Sequence, residues 1–429
     1  MTASEPPSTT RVNPTMCSPK PAVLFLGNGR CFHTMDWFHN AQRNNPSDPP
    51  ALITDLIDGE SFQKLVRPED RVEKLHILDG FLCRSQSRAG NAWRNTVKLL
   101  VLPFQILRLR RILRRYGNAI IDAHSMYYIV LARFSGRSYV ATPQGSELLV
   151  RPHRSFLYRH FAKLGLSGAS AIVVDSVAMR RSLAEVFGLK AHIIQNGIDV
   201  EAIAALQKGS SAGNTASPRS TVVSLRGMSP NYQIDRLVDA RNDSAKDTPL
   251  YFSYPFEEAE YKRLVSAKLT ALDRDFGRLS RADYYDLLFT ARLVISIPKS
   301  DSSPRSVYEA IFCGCFVAVT PAEWIKLLPA CMAARVIVVD LSSRTWLPDA
   351  LEFAAANVHK PYVPSAEALE LFDQKRSSLR YYREIYPIAR QRMGAGAQGE
   401  QHALAGSPLQ ASAEEGSRFP SEPTQRHAA

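Results

Sequence analysis

Asp301 and Glu309 stand eight residues apart in a stretch whose residue types suit a polyhydroxylated, phosphate-bearing ligand. An apolar run, Leu293 to Ile297, reads as a buried strand and ends in a polar loop. There Ser303 can cap a helix, and Pro304 sits where a first helical turn tolerates proline. Backbone donors around Ser303 to Ser306 would then form an anion site at the helix N-terminus. Asp301 falls in the loop and Glu309 a little over two helical turns further on. Two carboxylates that accept from hydroxyls, with an anion site between them, fit a ligand with a hydroxyl-rich group at each end and a diphosphate in the middle. A nucleotide sugar has that shape.

The segment from Asp301 to Glu309 resembles the E-x7-E motif of glycosyltransferase family 4, with Asp301 in the first acidic position. That resemblance implies that Asp301 binds the donor sugar's hydroxyls and Glu309 the ribose. Ser302, Ser303, Arg305 and Ser306 would hold the phosphates. Similarity in the family's order runs from about residue 22 to 325. Val23 to Trp37 resembles the opening strand and glycine loop, which puts Gly29 near the donor phosphate and His33 near the acceptor. Ile121 to His124, followed by Tyr139 to Leu149, resembles a second pair of strand ends, making His124 an acceptor contact and Gly145 a close-approach position for the donor. Gln144 replaces the family's usual histidine and cannot carry charge. Ser146 and Glu147 would supply polar contacts, Glu147 being the outside candidate for a general base. Arg226 matches the arginine that neutralises the diphosphate, whereas Asn231 and Tyr232 stand where the family has lysine; Arg305 or Lys299 would replace that charge. Leu279 is the candidate nucleobase contact through its backbone, and Asn196-Gly197 the hinge.

The resemblance implies a GT-B fold, two Rossmann-like α/β domains facing a central cleft. It also implies sugar transfer with retention to a saccharide or lipid-linked acceptor, with no metal and no cofactor beyond the nucleotide-sugar co-substrate. Surface polysaccharide assembly is the expected setting. A nucleotide-sugar epimerase and a catalytically degenerate donor-binding scaffold are the alternatives.

The elements that must position these residues follow from alternation of short apolar runs with helix-length stretches, which predicts βαβ units and parallel sheets. The pattern divides the chain into a tail (1–20), a first domain (21–205), a linker without large apolar side chains (206–219), a second domain (220–362), a terminal helix (363–395) and a second tail (396–429). At 429 residues, two cores are expected.

A net charge of +12 points to a polyanionic partner. The segment 84–115 alternates arginines with apolar residues, which fits an anionic membrane surface or a solvated helix face. No binding motif accompanies those arginines, so nucleic acid is not expected. The six cysteines form no CxxC pair, no apolar run reaches transmembrane length, and the N-terminus has no secretory h-region. These features predict a cytoplasmic protein, peripheral to the inner face of the plasma membrane if segment 84–115 meets lipid.

Overall fold

Short strands buried on both faces, separated by helices, make two parallel sheets. In the computed structural model, residues 22–57, 65–82, 88–209 and 219–392 are described. The first sheet contains β1 (Val23–Leu26), β2 (Ala51–Thr54), β3 (Val72–Lys74), β4 (Ile120–His124), β5 (Tyr139–Thr142), β6 (Ala171–Val174) and β7 (His192–Ile193). Its order is β3-β2-β1-β4-β5-β6-β7. The second contains β8 (Thr221–Ser224), β9 (Leu250–Phe252), β10 (Arg274–Asp275), β11 (Ala291–Ser296), β12 (Phe316–Val319) and β13 (Val336–Val338), in the order β10-β9-β8-β11-β12-β13.

Each order reverses direction once, between β1 and β4 and between β8 and β11. Ligand crevices open at the carboxyl ends of strands that flank such a switch. The glycine loop follows β1 and His124 ends β4. Arg226 follows β8 and Asp301 follows β11. Topology therefore directs the candidate residues of both domains to the two crevices.

Apolar side chains bury on both faces of each sheet, as parallel sheets covered by helices require. In the first domain one face packs Leu24, Leu26 and Ile121 against helices that carry Leu109, Ile129 and Leu183. The other face packs Phe25, Phe38 and Val140 against Tyr381, Ile385 and Tyr386 from the far end of the chain. The second domain is organised likewise, with Val294 and Val317 on one side and Ile295 and Ala318 on the other.

Three expectations change. The linker expected at 206–219 begins as helix, because Val200–Gly209 continues one, its Ala-rich sequence favouring that state; residues 210–218 lie outside those described, as do both tails. The single terminal helix breaks at Asp373, between Ala366–Phe372 and Gln374–Arg380, and returns to the first domain. β2, β3 and β10 were not anticipated; β3 and β10 are edge strands of three and two residues, too short to leave a period in the sequence. No helix among the described residues is long and apolar enough to cross a membrane.

Candidate active site

Asp301 leaves β11 in a loop and Glu309 lies in the following helix, Arg305–Phe312. The helix starts one residue later than expected. Pro304 occupies the cap position without a side-chain cap, and Ser303 Oγ lies 3.5 Å from the Tyr308 hydroxyl instead of capping. Pro304 has no N–H, so the first helical donors come from Arg305 onward.

Asp301 forms an ion pair with Arg226, which enters from the end of β8. Arg226 Nη1 also donates to Ser306 Oγ at 2.9 Å, and its guanidinium lies 4.6 Å from the centre of the Tyr232 ring. Tyr232, standing where lysine was expected, thus offers the arginine a π face. Lys299 is exposed at the cavity wall.

Glu309 is buried and held by four groups. Its carboxylate accepts from the hydroxyls of Tyr284 (3.0 Å) and Tyr285 (3.2 Å), with Arg281 Nη2 at 3.6 Å and Arg305 Nε at 3.4 Å. Burial and then the Glu309 charge hold the Tyr284 hydroxyl well above its ordinary pKa, keeping it a donor.

Arg305 also crosses the cleft. It donates to Asp36 on the helix Phe32–Asn44 of the first domain, and Gln374 Nε2 donates to the same carboxylate at 2.8 Å. Burial opposes ionisation of Asp36, but the Arg305 charge and hydrogen bond outweigh it and lower its pKa. His33, one turn before Asp36, opens onto the cleft although protein surrounds it. Desolvation by the protein around it, then the Arg305 charge, lowers the pKa of this exposed imidazole below its ordinary value.

Gly145 begins a short helix, Gly145–Leu149, directly opposite Ser302 of the second domain. A Cβ on Gly145 would lie 2.8 Å from Ser302 Oγ. Beside this contact lies a cavity of about 340 Å³ between the domains, bordered by Ser176 and Gln195 on one side and Lys299, Asp301, Ser302 and Trp324 on the other.

The remaining candidates lie outside that cluster, all but Leu279 in the first domain. Glu147 is buried and accepts from the backbone N–H groups of Gln144 (3.0 Å) and Met126 (2.9 Å), tying two loops together; burial raises its pKa. Gln144 Nε2 donates to Cys31 Sγ at 3.2 Å. His124 is buried, stacked on Phe25 with centroids 5.2 Å apart, its Nε2 3.2 Å from Asp122 Oδ1. Gly29 donates to Thr54 Oγ1 at 3.0 Å, and a Cβ there would meet the Leu56 carbonyl at 2.5 Å. Leu279 packs on the second domain's core.

Asp36, Tyr284, Tyr285, Arg281, Gln374 and Asp175 escape the sequence reading. Asp175 follows β6. One carboxylate oxygen is buried without a hydrogen-bond partner, and burial, followed by the nearby Asp301 charge, pushes its pKa up to about 6. The adjacent Tyr284-Tyr285 pair, on a helix opened by Arg281, was the one signal in the sequence for the tyrosines.

Residues 80–202 match the family described as Glycosyltransferase Family 4. No curated protein matches the chain. Among solved structures, the chain is similar to HepE of Anabaena in complex with UDP and glucose, at 16% identity over 85% of this chain and 99% of that one, with a TM-score of 0.62. It is also similar to sucrose-phosphate synthase of Thermosynechococcus elongatus (13% identity, 90% and 100% covered, TM-score 0.59). A third is the lipopolysaccharide outer core galactosyltransferase WaaB in its apo form (9% identity, 85% and 99% covered, TM-score 0.57).

Proposed function

We propose that this GT-B chain, which resembles glycosyltransferase family 4, moves a sugar from a nucleotide-sugar donor to a saccharide or lipid-linked acceptor. The observation that carries the reading is the Asp301–Glu309 pair at the topological switch of the second sheet, with Arg226 and Arg305 between and beside the carboxylates.

Glu309, freed from part of its tyrosine and arginine shell, accepts from the ribose hydroxyls. Asp301 accepts from the sugar's hydroxyls. The departing diphosphate gains negative charge as the glycosidic bond breaks, and Arg226, Arg305 and the N–H groups opening the helix Arg305–Phe312 answer it. With guanidinium groups meeting that charge, the reaction proceeds without a metal. The leaving phosphate takes the proton of the acceptor hydroxyl on the same face of the sugar, which retains the anomeric configuration. Glu147, already engaged by two backbone N–H groups, serves as scaffold and not as base. His33 opens onto the acceptor side of the cleft. Closure across the Gly145–Ser302 contact excludes water and so limits donor hydrolysis.

Acceptors in surface polysaccharide assembly suit this chemistry, and peripheral attachment to the inner face of the plasma membrane would bring a lipid-linked acceptor within reach. UDP-glucose is the first donor to try, because HepE was solved with UDP and glucose. Incubation with UDP-glucose, and with a panel of other nucleotide sugars, is followed by product analysis. Free nucleotide that disappears in Glu309→Ala and Arg226→Ala is the expected result. An isomerised donor without free nucleotide would instead identify an epimerase, and donor binding unchanged in both variants would refute the site.

A further inference from the structure

Among the described residues, a group of exposed apolar side chains lies far in sequence from the cleft motif, on the long helix Arg88–Leu113 of the first domain. Trp93, Leu100, Phe104 and Leu107 are 53% to 70% exposed, and Phe81 beside them is 67% exposed. Trp93 Nε1 donates to the Phe81 carbonyl at 2.8 Å, which ties the indole to the Phe81 backbone. At about 100° per residue, positions 93, 100, 104 and 107 span an arc of roughly 60°. They form one outward stripe about 21 Å long, at about 1.5 Å of rise per residue.

The opposite face of the helix accounts for the fold. Lys98 reaches toward Asp55 at 3.7 Å, Gln105 exchanges hydrogen bonds with the backbone of His76, and Leu109, Ile112 and Leu113 enter the core. The outward stripe contributes nothing to that packing. Exposed apolar groupings of this kind mark an interaction surface.

Charge selects the occupant. Residues 80–121 contain nine Arg and Lys and not one Asp or Glu. Arg111 and Arg114 continue the stripe at its C-terminal end and are exposed, while Arg115 beside them pairs with Glu73. A second copy of the chain would bring the same arginine-rich helix, which has no carboxylate of its own to answer Arg111 and Arg114. A bilayer with anionic headgroups supplies both missing partners: an acyl boundary for Trp93, Leu100, Phe104 and Leu107, and phosphates for the arginines.

We infer that the outward face of the helix Arg88–Leu113, with Phe81, is a membrane-docking surface that inserts its aromatic and leucine stripe at the interface of an anionic bilayer. The helix stands on the domain whose glycine loop and His33 border the acceptor side of the cleft. Docking through it holds that side near the membrane. The inference rests on the proposed transfer only for the nature of the acceptor; the docking itself is independent of it.

Co-sedimentation of the full chain with phosphatidylcholine vesicles, with and without phosphatidylglycerol, tests it. Binding should require phosphatidylglycerol and weaken with added salt. Phe104→Ser/Leu107→Ser and Arg111→Glu/Arg114→Glu should each bind at least about tenfold more weakly. All four side chains are exposed, so thermal unfolding should match wild type. Brominated lipid should quench wild-type fluorescence more than that of Trp93→Phe. Failure to bind anionic vesicles, equal binding by both double variants, or a dimer that Phe104→Ser/Leu107→Ser dissociates without any change in vesicle binding would each overturn the inference. Donor turnover measured without vesicles reads the cleft alone, so loss of that activity would count against the transfer reaction and not against docking.

Discussion

Arg305 donates to Asp36 across the cleft while its Nε lies 3.4 Å from Glu309, so a single guanidinium links the Glu309 carboxylate of one domain to a helix of the other. Both members of the interdomain pair are only 14% exposed. Removing one leaves the other incompletely answered. Asp36→Asn should lower unfolding stability by about 1–3 kcal/mol at neutral pH, and Asp36→Asn/Arg305→Met should cost less than the sum of the single changes. The Asp36 pKa is depressed in the folded chain. Its contribution is therefore present above the unfolded value near 4 and lost as pH falls through the lower folded value. Urea unfolding of the three variants from pH 7 to pH 3 checks this; additive costs would remove the bridge from the account.

Glu309 ties Tyr284, Tyr285, Arg281 and Arg305 into one cluster. Glu309→Gln keeps the shape but not the charge. It should weaken nucleotide-sugar affinity at least about tenfold, which corresponds to about 1.4 kcal/mol. Isothermal titration measures the loss, and an unchanged Kd would exclude Glu309 from the donor site.

Gly145 faces Ser302 with no room for a Cβ at an ordinary distance. A valine there should obstruct domain closure, reducing kcat by about tenfold or more while the Tm stays within about 2 °C of wild type. Ser302→Gly in the same chain should restore part of the rate. If the second change brings no recovery, the loss does not come from that contact.

Asp175 has its pKa raised to about 6. A carboxyl so raised is destabilising when ionised, and the deficit disappears as pH falls through 6 toward the unfolded value near 4. Asp175→Asn should therefore be more stable than wild type at pH 7.5, by about 2–3 kcal/mol, with the difference shrinking toward pH 4. Thermal unfolding at the two pH values decides it, and a difference independent of pH would show that the carboxyl is already stabilised in the native chain.

What could be read from the sequence was whatever a local pattern determines. Strand, loop and helix follow one another from Leu293 to Phe312, so the spacing of Asp301 and Glu309 and the side of the sheet they occupy were both legible. The order of further apolar runs likewise indicated two parallel α/β domains. The partners of those carboxylates were not legible, because they converge from distant segments: Tyr284 stands 25 residues before Glu309, and Asp36 stands 269 before Arg305. The contacts that hold His124 and Glu147, the Phe25 ring for one and the Met126 and Gln144 backbones for the other, leave no local pattern in the sequence either. The basic segment was visible as charge, but which of its apolar residues face outward depends on how the helix sits on the domain.

The chain passes between the domains twice, and the two passages touch. Ile198 N–H donates to the Phe372 carbonyl at 2.7 Å, Gln374 N–H donates to the Ile198 carbonyl at 2.9 Å, and Gly197 lies against the Gln374 backbone. Two tethers at separate points would let the domains swing and twist independently. Two tethers stitched together at one point leave a single place about which the domains could turn, so a cleft that opened there would have to part the Gly145–Ser302 and Asp36–Arg305 contacts together.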